Sequence, residues 1–271
     1  MTNETDKGAQ FRALHEQPGA FIIPNPWDIG TARILAATGF KALATTSAGL
    51  AFSLGLRDGQ VSRDQALAHC RAIVAATDLP VSADLEKGFG DSAESAGATI
   101  RDAAETGLAG CSIEDSTGRR DAPIFDFNLA VERIAAAVEA KRKLKRDFVL
   151  TARCENFLWN RPDLDDTLKR LQAFEKAGAD VLYAPGLRDL AMIREVCGAV
   201  GRPVNVVMGL AGATYSVTEL AEAGAKRIST GAALTRAAFT AFIDAAKEMK
   251  EKGTFTFAEK SIPFGDIQAY F

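Results

Sequence analysis

Leu79-Pro80-Val81-Ser82-Ala83-Asp84-Leu85-Glu86-Lys87-Gly88-Phe89-Gly90 runs from an apolar stretch into two acids and then into a glycine-rich loop. A helical pattern follows over residues 92–107. In a strand, residues i and i+2 point to the same face, so Asp84 and Glu86 can aim their oxygens at one point. Two hard oxygen donors at a strand end suit Mg²⁺, with Mn²⁺ as the alternative; such ions are held by one or two carboxylates plus water and substrate oxygens.

The same strand-then-helix beat recurs on both sides. Candidate strands are 21–23, 41–46, 81–84, 110–114, 148–153, 181–183, 204–207 and 227–229. Between them lie helical patterns rich in Ala, Leu, Glu, Lys and Arg, at 28–39, 63–78, 92–107, 128–146, 164–178, 188–199, 216–224 and 231–251. Alternation of this kind asks for parallel strands with crossover helices. Eight beats in roughly 250 residues fit a (β/α)₈ TIM-type barrel. A doubly wound sheet is the alternative, disfavoured because no GxGxxG follows the first strand. Gly39, Gly107, Gly178 and Gly224 punctuate helix ends as C-cap glycines do. Ala-Gly-Ala recurs at 177–179 and 223–225 as a shared turn.

No linker or low-complexity stretch interrupts residues 1–271, which read as a single domain. A helix over 5–17 is placed across the barrel floor. The segment 252–271 carries Phe255, Phe257, Phe264, Ile267, Tyr270 and Phe271. An exposed tail this apolar is a liability, so it is expected to pack on the barrel or on another subunit.

Composition narrows the class. Of the 271 residues, 47% are hydrophobic and 25% charged, enough for a sizeable core, and the net charge of −3 shows no basic stripe for nucleic acid. The basic cluster from Lys141 to Arg146 closes an Ala-rich helix, where positive charge meets the helix C-terminus favourably. The first residues, Met1 to Gln10, are polar, and no apolar run reaches membrane-spanning length, so a cytoplasmic protein without a membrane partner is expected. Cys70, Cys111, Cys154 and Cys197 form no CxxC pair and read as reduced thiols. With only His15 and His69 present, a Ser-His-Asp triad or a His-rich zinc site has almost no material.

Chemistry in such a barrel sits at the C-terminal ends of the strands. Those ends read Asn25, Thr46-Ser47, Asp84 with Glu86, Glu114-Asp115, Arg153 with Glu155, Tyr183, Asn205 and Ser229-Thr230. Arg153 either pairs with the acids or grips a substrate carboxylate bidentately. Small residues at Thr46, Ser47, Ala48 and Gly49 would let backbone N–H groups approach an anion, or would simply make a tight turn. Phe52, Phe89, Phe157, Trp159, Tyr183 and Asn205 are read as a pocket wall that is apolar and aromatic with one amide. Gly209, Gly212 and Gly231 follow strands seven and eight, where barrels often bind phosphate.

As a set, these segments resemble the isocitrate lyase/phosphoenolpyruvate mutase superfamily. Asp84-Leu85-Glu86-Lys87-Gly88-Phe89-Gly90 is similar to its Asp-x-Asp-x-Gly-Tyr-Gly segment. Asn25-Pro26-Trp27-Asp28, Thr46-Ser47-Ala48-Gly49-Leu50, Asp58, Ile113-Glu114-Asp115 and Thr151-Ala152-Arg153 follow in the matching order, over residues 20–235. The resemblance implies a Mg²⁺ site with Asp84 as ligand and Glu86 and Glu114 contacting the ion or its waters. It implies that Ser47, Ala48 and Gly49 hold the carboxylate and oxo group of a pyruvate-like unit, with Arg153 on that carboxylate. Asp58 would then lie near the reacting centre. Arg153, Glu114 and Asp58 are the implied catalytic set, and Thr46 and Asn205 join the substrate contacts. Family chemistry forms or breaks C–C or P–C bonds beside an enolpyruvate, where a divalent ion acts as Lewis acid and N–H donors add to it. The implied assembly is a homo-oligomer, dimer or tetramer, whose last helix is exchanged between subunits.

The departures are as telling. The family's lyases carry a Lys-Lys/Arg-Cys-Gly-His loop after strand four, but Ser116 to Asp126 here holds neither cysteine nor histidine. The glutamate those lyases carry near strand six is absent from Tyr183-Ala184-Pro185-Gly186, and the phosphonomutase loop is missing too. The sequence therefore points to a C–C lyase or decarboxylase acting on an oxaloacetate-like 2-oxo acid. Arg119, Arg120 and Asp121 are read as a mobile loop closing over the pocket. The alternatives are a non-catalytic 2-oxo acid binder and a phosphonomutase-like P–C enzyme. A Schiff-base aldolase lacks a lysine at strands five and six.

Overall fold

The computed structural model describes residues 6–210 and 212–271. Eight parallel strands form a nearly closed barrel in the order β1-β8-β7-β6-β5-β4-β3-β2. They are β1 (Phe21–Ile23), β2 (Leu43–Ala44), β3 (Val81–Asp84), β4 (Gly110–Glu114), β5 (Val149–Arg153), β6 (Val181–Tyr183), β7 (Val204–Val207) and β8 (Arg227–Ser229). The seam between β1 and β2 is joined by the Ala44 amide donating to the Pro24 carbonyl at 3.0 Å. The fold is therefore the expected TIM-type barrel.

Helices α1 (Lys7–Glu16), α2 (Ile29–Ala37), α3 (Ser47–Ser53), α4 (Arg63–Ala75), α5 (Ala93–Glu105), α6 (Phe127–Arg142), α7 (Leu164–Ala177), α8 (Leu190–Gly198), α9 (Val217–Glu222) and α10 (Ala233–Lys252) occupy the connections and the ends. A 3₁₀ turn (Thr256–Lys260) and a short α11 (Phe264–Gln268) close the chain. Helix starts are written into the sequence: Asp28 with Thr31, Ser62 with Gln65, and Ser216 with Glu219 each form a reciprocal capping box. Ile100, Leu108, Ile113, Leu150 and Phe174 are fully buried between the sheet and its helices.

Helix α1 covers the floor as anticipated. Its expected start at Thr5 lies outside the described residues, and Asp6 caps it by accepting from the Gly8 and Ala9 amides. Phe11 plugs the floor against Ile23, Ala42, Ala109, Val149 and Val181. Gly8 permits that approach, because a Cβ there would sit 1.9 Å from the Asp147 carbonyl oxygen.

Two elements differ from the sequence reading. Strand β2 spans only Leu43–Ala44 where 41–46 was expected. The Thr45 amide still pairs with the Ser82 carbonyl, but Thr46 turns out of the sheet to cap α3, a helix the glycine-bearing stretch had concealed. The second is α10, expected over 231–251 and found at Ala233–Lys252, in which Thr235 is the sole buried residue of twenty. Phe242, Ile243 and Met249 on this helix and Phe255, Ile262, Phe264 and Phe271 beyond it are exposed. Among the described residues, no helix is long and apolar enough to cross a membrane.

Candidate active site

Arg153, the last residue of β5, lies opposite Glu114 in the β4–β5 register. Its Nε hydrogen-bonds Glu155 Oε1 and stands 3.5 Å from Glu114 Oε2, while Nη1 stands 3.6 Å from Asp84 Oδ1. The guanidinium also sits 5.1 Å from the centre of the Tyr183 ring. Above it opens a cavity of about 400 Å³, lined by Ser47, Asp58, Glu86, Glu114, Ser116, Arg153, Glu155, Leu158 and Trp159. The ends of β3, β4 and β5 and the loops after them, with Asp58 from the α3–α4 loop, thus gather Asp58, Asp84, Glu86, Glu114 and Glu155 around one arginine.

The charges are unbalanced. Burial, then Asp84 and Asp58, pushes the Glu86 carboxyl up to about 7. Burial holds Glu114 well above the carboxylate range, and Arg153 only partly offsets it. Glu155 is raised by burial despite its bond to Arg153, and Asp58 is raised by burial and then by Asp84. Burial works against the Arg153 charge, but Glu155 and Glu114 outweigh it and hold the group well above its ordinary value. Five largely buried carboxyl groups facing one guanidinium are an arrangement that a further cation relieves.

Asp84 is fixed from beneath. Oδ2 accepts the Ser47 hydroxyl at 2.8 Å and the Ser47 amide at 3.3 Å, and Oδ1 accepts the Glu86 amide at 3.3 Å. Glu86 itself adopts φ 49°, a left-handed conformation that a non-glycine residue holds only when its surroundings impose it. The donor set of Asp84, Glu86 and Glu114 is all hard oxygen and fits Mg²⁺ or Mn²⁺ in kind. It is not a finished cage: among the described residues no three His, Cys, Asp or Glu side chains converge closely enough to hold a metal unaided. That matches a cation which takes a few protein oxygens and completes its shell from water and substrate.

The expected anion cradle after β2 is partly committed elsewhere. The Thr46 hydroxyl accepts the Gly49 amide at 3.2 Å, so both take part in the cap of α3. Ser47 serves Asp84. The Ala48 amide, among the described residues, has no protein acceptor. Asn205 is also engaged. Its Oδ1 accepts Arg227 Nε at 2.8 Å and its Nδ2 donates to Ser229 Oγ at 3.0 Å. It lines a smaller polar cavity of about 60 Å³ beneath the mouth, shared with Asn25, Asp84, Arg153, Tyr183 and Arg227. Asn205 thus shares this lower cavity with Asp84 and Arg153, two residues of the mouth.

Of the aromatic wall read from the sequence, Trp159 lines the large cavity and Tyr183 the lower one. Phe52 stands at the surface, Phe89 packs on the core, and Phe157 is buried beside Gly186. The large cavity also takes in Glu155, read from the sequence only as a strand-end residue, together with Ser116 and Leu158. Glu155 had a signal, standing two residues after Arg153 at a strand end. In the loop after β4, Ser116 bridges Ile124, Trp159 Nε1 donates to Ser116 Oγ at 3.0 Å, and Arg119 and Lys87 both pair with Asp91. Cys154 follows Arg153 but is fully buried with its thiol held well above the usual range by burial, so it cannot stand in for the cysteine missing from that loop.

Comparison with known proteins adds to this geometry. The family model for phosphoenolpyruvate phosphomutase matches residues 11–250. The chain is 32% identical over 226 residues to 2-methylisocitrate lyase of Escherichia coli K12, covering 80% of this chain and 75% of that one. It superposes on a candidate lyase/mutase of Burkholderia cenocepacia J2315 with TM-score 0.96 and 59% identity, covering 98% and 95% of the two chains. A 2,3-dimethylmalate lyase superposes with TM-score 0.87 at 28% identity, over 98% of this chain and 94% of that one.

Proposed function

The chain belongs to the phosphoenolpyruvate phosphomutase family, within the isocitrate lyase/phosphoenolpyruvate mutase superfamily, and from that premise we propose that it is a divalent-cation-dependent C–C lyase or decarboxylase of a small 2-oxo acid. The observation that carries this reading is the unbalanced mouth: four carboxylates from the ends of β3, β4 and β5 and the loops after them, and Asp58 from the α3–α4 loop, around the single guanidinium of Arg153.

Asp84, Glu86 and Glu114 would hold Mg²⁺. Bound there, the ion supplies Lewis-acid stabilisation of negative charge developing on an oxo oxygen. The chain's own groups do the rest. Arg153, kept charged by Glu155 and Glu114, presents its remaining N–H groups to the substrate carboxylate. The Ala48 amide at the start of α3 donates to the same unit. Asp58, with its carboxyl raised and facing the large cavity, is placed to give or take the proton at the reacting carbon.

The substrate class follows from what lines the cavity. Leu158 and Trp159 form an apolar side, and Arg153 is the one cationic residue lining it. A tricarboxylate would bring more negative charge than this wall can meet. A 2-oxo acid with one or two carboxylates and a short apolar substituent fits better, as does a cleavage whose leaving fragment, such as CO₂, needs no cysteine acid. Tested with Mg²⁺ against a panel of 2-oxo and 2-hydroxy acids, oxaloacetate among them, the protein is expected to turn over at least one. Binding without turnover across the panel would refute the enzymatic reading.

The exposed apolar face of α10 and the tail supports a homo-oligomer in which this C-terminal piece packs on a neighbouring copy.

A further inference from the structure

Arg133 lies on α6, outside the carboxylate cluster, and is 1% exposed. All three of its hydrogen bonds go to backbone carbonyls of one loop. Nη1 donates to Gly90 O at 2.8 Å and to Ser92 O at 3.0 Å, and Nη2 donates to Lys87 O. The guanidinium lies 4.4 Å from the ring centre of Phe125, which belongs to the loop after β4. No carboxylate pairs with it among the described residues.

That loop needs an external constraint. Three of its consecutive residues outside regular structure, together with the acid before them, include Glu86 at φ 49°, Gly88 at φ 81° and Phe89 at φ 56°. Left-handed conformations at two non-glycine residues are costly and persist only where neighbours over-determine them. The loop's other anchor from the helices is Thr99, whose hydroxyl donates to Gly88 O at 2.8 Å. Close packing of α5 on α6 brings Arg133 within reach: a Cβ on Gly97 would meet the Ala136 carbonyl oxygen at 3.2 Å.

We infer that Arg133 is a positioning residue: by gripping the carbonyls of Lys87, Gly90 and Ser92 it holds the acidic loop in the strained form that aims Glu86 into the large cavity. This inference rests on the cation reading above for its consequence, but not for its geometry. A planar fork can serve several carbonyls at once, whereas a lysine head can serve them only as a point.

The test compares Arg133→Met, Arg133→Lys and, as a control of matched location, Ile134→Val in the buried core of the same helix. Two quantities are read: Mg²⁺ affinity by calorimetry, and amide hydrogen exchange in peptides covering 86–91. Arg133→Met is expected to weaken Mg²⁺ binding at least tenfold and to speed exchange of the loop at least tenfold, with Arg133→Lys intermediate. Ile134→Val is expected to lower Tm while leaving both quantities within twofold of the unmodified protein. Should Arg133→Met not fold, Arg133→Lys carries the same comparison. Unchanged loop exchange in the arginine variants overturns the inference, as does a loss of affinity that Ile134→Val reproduces at equal loss of Tm. If the unmodified protein binds no Mg²⁺, the cation reading fails by itself, and the exchange measurement still decides the role of Arg133.

Discussion

Ser47 donates both its hydroxyl and its amide to the same oxygen of Asp84, at 2.8 and 3.3 Å. The first residue of α3 thereby orients the acid at the end of β3, and the other oxygen, Oδ1, is left toward Arg153. A side chain that fixes a ligand in this way is worth roughly 10–100-fold in metal affinity. Asp84→Ala is expected to abolish Mg²⁺ binding measured by calorimetry while the circular dichroism spectrum is retained. Ser47→Ala is expected to weaken the same binding about tenfold. Unchanged affinity in Asp84→Ala would remove this residue from the cation site.

The raised carboxyls give a pH signature with a definite sign. In the folded protein Glu86 titrates at about 7, above its ordinary value of 4.5, so between those values the folded state binds the proton that the unfolded state has released. Stability from this group therefore falls as pH rises through that window. His15 and His69 act in the opposite sense. Burial depresses both, the first to about 3, so their contribution is lost as pH drops below 6.5. The difference between Glu86→Gln and the unmodified protein isolates the carboxyl. Without divalent cation, the variant is expected to gain in Tm relative to the parent between pH 5 and pH 8, and saturating Mg²⁺ is expected to shrink that gain. A pH-independent difference would contradict the assignment.

Arg153 serves three acids and a proposed substrate carboxylate with one planar group. Lysine keeps the charge but not the fork. Arg153→Lys is expected to weaken binding of oxalate or pyruvate in the presence of Mg²⁺ by about tenfold, the scale of one lost charge-assisted hydrogen bond. Equal affinity in a calorimetric titration would show that the carboxylate is held elsewhere.

Much of this was legible because strand ends carry chemistry and strand interiors do not. Asp84, Glu86, Glu114, Arg153 and Asp58 stand at or after such ends, and the structure brings all five to one mouth. What misled was local competition for the same groups. Thr46-Ser47-Ala48-Gly49 has the composition of an anion loop, but Thr46 is also a good helix cap, and once it caps α3 the Gly49 amide is used. Asn205 stands at a strand end as its neighbours do, yet a buried arginine from the adjacent strand, Arg227, claims it, and no periodicity announces such a pair. Phe52 on α3 and Phe89 in the loop after β3 are aromatic, and residue type does not say which side of a helix or loop faces inward. Arg133 sits mid-helix in an Ala-rich pattern and gave no sign of its three carbonyls, because those depend on how closely α5 and α6 approach.

The C-terminal helix makes the last prediction. A twenty-residue helix spans about 30 Å, and a helix packed on a barrel buries one apolar stripe along its length. Helix α10 buries Thr235 alone, while Phe242 is 73% exposed and Ile243, Met249, Phe255 and Phe264 continue the apolar face. Single exposed apolar residues are ordinary, but so many on one helix and the segment after it are what a subunit contact would cover. Interfaces that are permanent parts of a fold are larger and more hydrophobic than transient ones. The protein is therefore expected to run as a dimer or tetramer in light scattering coupled to gel filtration at micromolar concentration. Phe242→Asp places a charge in the centre of that face and is expected to shift the mass toward the monomer and to lower Tm by several degrees, since association stabilises the folded chain by mass action. A monomer in the unmodified protein, or an unchanged oligomer in Phe242→Asp, would show that α10 and the tail are not the contact.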